Sequence, residues 1–238
     1  MLVLGDDLPQ YETPWLTYGV MLLCSAVFIL QSVAPFHGLA LLIKFGCMPA
    51  IVTGHLSYGA DFGHMHGALT LLTSAFLHAN LVHLLGNMLF LWTFGKHVEE
   101  SFERPIYAIF IVLCAIASSL AQVLSNPGTT VPTIGASGFI SGIMGAYLVL
   151  FPMARLTVPF GTVWLALTGR WSGQIPAFVV LGFWITEQVF LSRGNHSGAG
   201  SVAHWAHIGG FVSGAAGGFL LRWCGLAATY YEPERAAT

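Results

Sequence analysis

Four polar residues set in otherwise apolar stretches could do chemistry: Ser137, His207, His83 and Asn87. Ser137 stands in Gly135-Ala136-Ser137-Gly138, where a polar linker turns into an apolar run. A serine at a helix start lies beside backbone N–H groups that lack intrahelical acceptors, which suits a developing oxyanion. The same placement also describes an N-cap serine in a glycine-rich packing face. The G-x-S-x-G elbow of α/β hydrolases is excluded, because position 139 is Phe and no alternating strands precede it. His207, in Ala206-His207-Ile208-Gly209-Gly210, can accept a serine proton as a neutral imidazole, or simply bond across helices. His83 and Asn87 are four apart and share one helix face. Two donors converging there could hold an oxyanion, or act as polar glue between helices.

The elements that must position these groups are membrane helices. The chain has 238 residues, 55% hydrophobic and 8% charged, against about 25% charged in a soluble domain. At about 20 residues per crossing, the apolar runs allow six helices: roughly 15–33, 77–97, 105–124, 136–151, 175–191 and 202–223. The fold class expected is an all-α polytopic bundle of six transmembrane helices. Residues 1–14 form a short cytoplasmic N-terminus, 15–223 the membrane domain, and 224–238 a polar cytoplasmic tail. The long first connection, 34–74, is apolar in patches and broken by glycines. Short helices lying in the membrane interface are expected there, so this first loop is partly membrane-embedded. Residues 155–174 read as a connecting loop with an interfacial piece around Trp164–Leu167.

Lys96, Arg104, Arg155, Arg170, Arg222 and Arg235 fall on one side of this topology, and only Lys44 and Arg193 on the other. The bias predicts both termini in the cytoplasm. A net charge of −2 gives no basic field for nucleic acid. Cys24, Cys47, Cys114 and Cys224 form no C-x-x-C pair and read as small buried hydrophobes.

Glycines supply a geometric constraint. Gly210, Gly214 and Gly218 repeat every four residues in the sixth helix; Gly135, Gly138, Gly142 and Gly145 line the fourth. Such smooth faces let backbones approach closely. Packing them together brings Ser137 and His207 near each other where the two residues lie at similar depth.

The ordered set His83-x-x-x-Asn87, Gly135-Ala136-Ser137-Gly138 and Ala206-His207-x-x-Gly210-x-x-x-Gly214 resembles the rhomboid intramembrane proteases. Phe76-Leu77-His78-Ala79-Asn80-Leu81-Val82-His83 resembles the entrance to that family's second helix, and the likeness runs from about Ser74 to Trp223. The resemblance implies a serine endopeptidase with a Ser137–His207 dyad and no aspartate. It implies an oxyanion site from His83, Asn87 and the Ser137 backbone N–H. It implies transmembrane protein substrates in the lipid bilayer, no cofactor and no metal, and a multi-pass protein of the cell (inner) membrane whose active site opens to the outer face. Gly135, Gly138, Ser141, Gly142, Gly210 and Gly214 then line the packing face and cavity. The fifth helix becomes a candidate lateral gate plugged by Phe183 and Trp184. Two positions depart from the family: Leu69 and Thr70 stand near a first-loop Trp-Arg pair of many members, and Ser141 stands where some have tyrosine.

Other polar residues carry less. His64 and His66 form H-x-H, with His55 and His78 nearby, but no H-E-x-x-H occurs. Glu187 within the fifth helix needs a polar partner or water, and structural pairing is the expectation. His204 and Trp205 are expected at the cavity or interface. A catalytically inactive rhomboid-like binder of membrane clients is the alternative; such relatives typically lack the serine or histidine, and both are present. A transporter would show matched repeats or broken helix pairs, and none is seen. Oligomeric state is left open by the sequence.

Overall fold

Each of the six apolar stretches forms a helix. The first, α1 (Trp15–Val33), spans the expected residues. The next helical segments are short: α2 (Pro35–Phe45), α3 (Pro49–Val52) and α4 (Gly67–Thr73), the last running into a 3-10 turn over Ser74–Phe76. They occupy the long first connection. The computed structural model describes residues 2–33, 35–56, 67–159, 172–194 and 202–227. His64, His66, Arg170, Arg235 and the Trp164–Leu167 stretch lie outside these described residues.

The second apolar stretch begins later and ends later than its hydrophobicity suggests. Asn80, extended and outside the helix, accepts a 2.8 Å hydrogen bond from the His83 N–H, so it caps α5 (Leu81–Phe90). A π-helical turn, Leu91–Gly95, joins α5 to α6 (Lys96–Ser101). The helix therefore carries Glu99 and Glu100 beyond the expected end at His97. Glu99 is 4% exposed, and its two oxygens accept the N–H groups of Leu16 at 2.9 Å and Thr17 at 2.7 Å. A carboxylate thus covers the start of α1, where backbone donors are otherwise orphaned.

Then come α7 (Arg104–Ser125), with proline in its first turn, and α8 (Ser137–Leu150). After them follow α9 (Ala177–Leu191) and α10 (His204–Trp223). Among the described residues, α1 and α7 are each long and apolar enough to cross a membrane, and the segment Gly67–Phe76 with Leu81–Ser101 makes a third when taken as one span bent by 84°. The chain is mostly helical, but it is not all-α. Gly5–Asp6 (β1), Arg155–Pro159 (β2) and Ser172–Pro176 (β3) form an antiparallel sheet in the order β1-β2-β3. Gly5 pairs with Thr157, and Leu156 with Ile175. Part of the stretch expected to be a loop is therefore strand.

The sheet closes one end of the bundle. Asp6 accepts from Tyr147 Oη at 2.9 Å and lies 3.1 Å from His97 Nε2 and 3.5 Å from Lys96 Nζ. Above it, Phe94, Tyr107, Phe139, Ile143 and Tyr147 fill a core with almost no exposure. Phe94 and Tyr147 meet edge to face at 5.0 Å. Cys24, Cys47 and Cys114 are buried thiols, whereas Cys224 is exposed.

Candidate active site

At the opposite end of α8 from the sheet, the chain passes His83 in a conformation that requires glycine. Gly135 has φ +117°, and its N–H donates to the Ser74 carbonyl at 3.0 Å. A Cβ there would sit 2.8 Å from His83 Nε2 and 3.7 Å from Asn87 Nδ2. A side chain is therefore excluded both by backbone conformation and by space. Ala136 is the N-cap of α8 and makes no side-chain cap. Ser137 is the first helical residue rather than the cap, and its hydroxyl is directed elsewhere. Ser141, one turn on, donates to the Ser137 carbonyl at 2.5 Å.

Helix α10 reaches Ser137 through the glycine faces. A methyl group on Gly214 would overlap the Gly142 carbonyl, and one on Gly145 would overlap the Phe211 carbonyl. Backbones at this separation bring the side chains at the N-terminal ends of α8 and α10 together. His207 Nε2 lies 2.8 Å from Ser137 Oγ. The depths of the two residues match, which the sequence left open.

A residue the sequence reading passed over completes this cluster. Gln188, on α9 and 5% exposed, places Oε1 2.8 Å from His207 Nδ1 and 2.8 Å from His204 Nδ1. Trp184, one turn earlier on the same face, lies 5.7 Å from the His207 ring and 5.9 Å from Phe211. The aromatic contact on His207 thus comes from α9 and not from position 141. Phe183 points the other way and is 66% exposed. Glu187 is half-buried within α9, and its side chain has no hydrogen-bond or ion-pair partner among the described residues. Trp205 is exposed and His204 half-buried.

His83 and Asn87 face the same place from α5. The Ala79 N–H approaches His83 Nδ1 at a long 3.5 Å. With Nδ1 accepting, Nε2 carries the proton and faces Gly135. Asn87 is 7% exposed, and its Nδ2 has no acceptor among the described residues. A buried unpaired amide costs roughly 1–3 kcal/mol, so its persistence here calls for a reason. Among the described residues no three His, Cys, Asp or Glu side chains are grouped to hold a metal ion.

The Rhomboid domain family matches residues 65–224, about two thirds of the chain. The chain is a member of the rhomboid family. It is 29% identical over 157 residues to rhomboid protein 1, mitochondrial, of Saccharomyces cerevisiae, covering 64% of this chain and 42% of that protein. It is 26% identical over 206 residues to the rhomboid protease GlpG of Klebsiella pneumoniae, covering 86% and 62%. Similarity to the rhomboid protease GluP of Bacillus subtilis is 28% over 145 residues, covering 60% and 24%. This rhomboid therefore spans less than two thirds of the length of each of these relatives.

Proposed function

We propose that this rhomboid is an intramembrane serine endopeptidase that cuts transmembrane segments in or beside the bilayer. The observation that carries the reading is the 2.8 Å contact between Ser137 Oγ and His207 Nε2, made by residues 70 apart on two apolar helices. His207 takes the hydroxyl proton as Ser137 Oγ attacks the scissile carbonyl carbon. The carbonyl oxygen becomes an oxyanion, held by His83 Nε2, Asn87 Nδ2 and the Ser137 N–H at the open start of α8. His207 then gives its proton to the leaving amine, and an acyl-enzyme remains. Water adds to that ester with His207 again as base, releasing the new carboxylate end and restoring the serine. The unpaired Asn87 donor supports this assignment, because an oxyanion is what it lacks.

In this reading α1, α5 with α6, α7, α8, α9 and α10 are the six crossings of a membrane domain over residues 15–223, with cytoplasmic segments 1–14 and 224–238. The cations support one orientation in the inner membrane. Lys96 bonds Asp6, Arg104 lies 3.5 Å from Glu12, and Arg222 Nη1 donates to the Val149 carbonyl at the end of α8 away from Ser137. That end faces the cytoplasm, and the Ser137 end opens outward. Backbone in lipid is fully hydrogen-bonded as helix, so substrates must unwind. Helix-breaking or small residues near the cut are their expected feature.

The test is labelling with a fluorophosphonate and cleavage of a transmembrane-segment substrate, comparing wild type with Ser137→Ala and His207→Ala. Both signals should vanish in each folded variant. A folded wild type that neither labels nor cleaves would move the assignment to a client-binding rhomboid without catalysis.

A further inference from the structure

One amide oxygen serves two histidines at this site. Gln188 Oε1 lies 2.8 Å from Nδ1 of both His207 and His204. A carbonyl oxygen only accepts, so each imidazole presents N–H at Nδ1. A neutral imidazole protonated on Nδ1 has its lone pair on Nε2. On His207, Nε2 is the atom 2.8 Å from Ser137 Oγ. The Gln188 contact therefore selects the tautomer able to receive the serine proton. The other tautomer would donate to Ser137 and leave its proton in place.

The supplier of this acceptor matters as much as its chemistry. Gln188 and Trp184 are four apart on α9, so they form one face. Both touch His207, and both histidines belong to α10. Gln188 is 5% exposed and Trp184 9%, so both contacts to His207 lie within the packed α9–α10 interface.

We propose that Gln188 is the positioning residue for His207, fixing its Nδ1–H tautomer and ring orientation, and that it makes the base competent only while α9 is seated. This rests on the protease reading above. Movement of α9 that admits a substrate would uncouple the base, and its return would restore it. Chemistry then waits for closure.

The test uses the purified full chain in detergent with a transmembrane-segment substrate, comparing wild type, Gln188→Leu and Gln188→Glu, with thermal unfolding recorded for each. Leu has similar bulk and no acceptor. It should lower kcat by about tenfold to a hundredfold, the scale of loss when the orienting partner of a metal-bound histidine is removed, with KM within about twofold of wild type. Glu restores an acceptor and so rescues part of that loss. Its carboxylate favours the imidazolium, whereas the reaction needs the neutral ring. The acid limb of kcat/KM should therefore move to higher pH by about one unit. Other ionisable groups near His207 are His204 on α10, with ring centroids 6.4 Å away, His83 on α5, and Glu187 beside Gln188. All are the same in every variant. A merely structural Gln188 would change the unfolding midpoint and leave kcat of the folded Gln188→Leu variant at the wild-type value. Wild-type kcat in Gln188→Leu, or an unmoved acid limb in Gln188→Glu, overturns the proposal. Should the Leu variant not fold, Gln188→Met, equally without a strong acceptor, takes its place in the same comparison. A wild type that neither labels nor cleaves overturns the protease reading and this proposal together. Active wild type with indifferent variants removes this proposal and leaves that reading standing.

Discussion

Gly210 on α10 lies so close to Gly138 on α8 that a methyl group on Gly210 would overlap the Gly138 carbonyl. These glycines sit one residue after Ser137 and three after His207, so a close approach of the two backbones coincides with the meeting of the two side chains. One turn deeper, Gly214 stands in the same relation to Gly142. The dyad distance is thus set by backbone contact and not by the side chains themselves.

Gly214→Ala tests that dependence without touching the dyad. The added methyl must push α10 away from α8, since its neighbour is backbone and cannot rotate aside. Overpacking of this kind costs about 1–3 kcal/mol. The unfolding midpoint in detergent should fall, and fluorophosphonate labelling of Ser137 should fall with it even at temperatures where the variant remains folded. Full labelling of Gly214→Ala would show that the dyad tolerates displacement of α10.

Helix positions were legible because lipid-facing runs are long and unambiguous: the first and third stretches match α1 and α7 within a residue at either end. The sheet was not. β1 has two residues, Gly5 and Asp6, and β3 reads Ser-Gly-Gln-Ile-Pro, so neither carries a period-2 pattern. β1 also finds its partner, β2, about 150 residues along the chain. The glycine faces were legible because spacing alone dictates a helix face, whereas the matching depth of Ser137 and His207 was not. Gln188 was missed because charge drew notice to Glu187, its neighbour. The available signal was spacing: Trp184 and Gln188 share a face, and any polar group inside a membrane helix requires a partner.

Asn87 provides a sharper test of the oxyanion assignment than of stability. Its Nδ2 is buried without an acceptor among the described residues. Asn87→Ala should lower kcat by about 10²–10³, the effect of losing one oxyanion donor. The unfolding midpoint should stay level or rise, because a buried unpaired donor costs roughly 1–3 kcal/mol in the wild type. A large drop in midpoint with unchanged kcat would make Asn87 structural glue instead.

Glu99 predicts the reverse pattern. It is 4% exposed and accepts the Leu16 and Thr17 N–H groups at the start of α1. Glu99→Ala leaves both donors unpaired and should destabilise the fold by about 1–3 kcal/mol for each. Ser137 lies at the far end of the bundle from this cap. Labelling per folded molecule should therefore match wild type while the unfolding midpoint falls. An unchanged midpoint would mean that water replaces the carboxylate at no cost.

Phe183 and Trp184 are adjacent but face opposite ways, which separates two roles that the sequence assigned jointly to a gate. Trp184 is 9% exposed against His207 and Phe211; Phe183 is 66% exposed on the outer face of α9. Trp184→Ala removes core packing and should cost about 3–5 kcal/mol, lowering labelling and cleavage alike. Phe183→Ala should change stability by no more than about 0.5 kcal/mol. If the Phe183 ring obstructs lateral entry, its removal raises kcat/KM for a transmembrane substrate severalfold. Labelling by a small fluorophosphonate, which needs no lateral route, should keep its wild-type rate. Equal acceleration of both reactions would place the effect at the dyad, and no acceleration of either would remove Phe183 from the entry path.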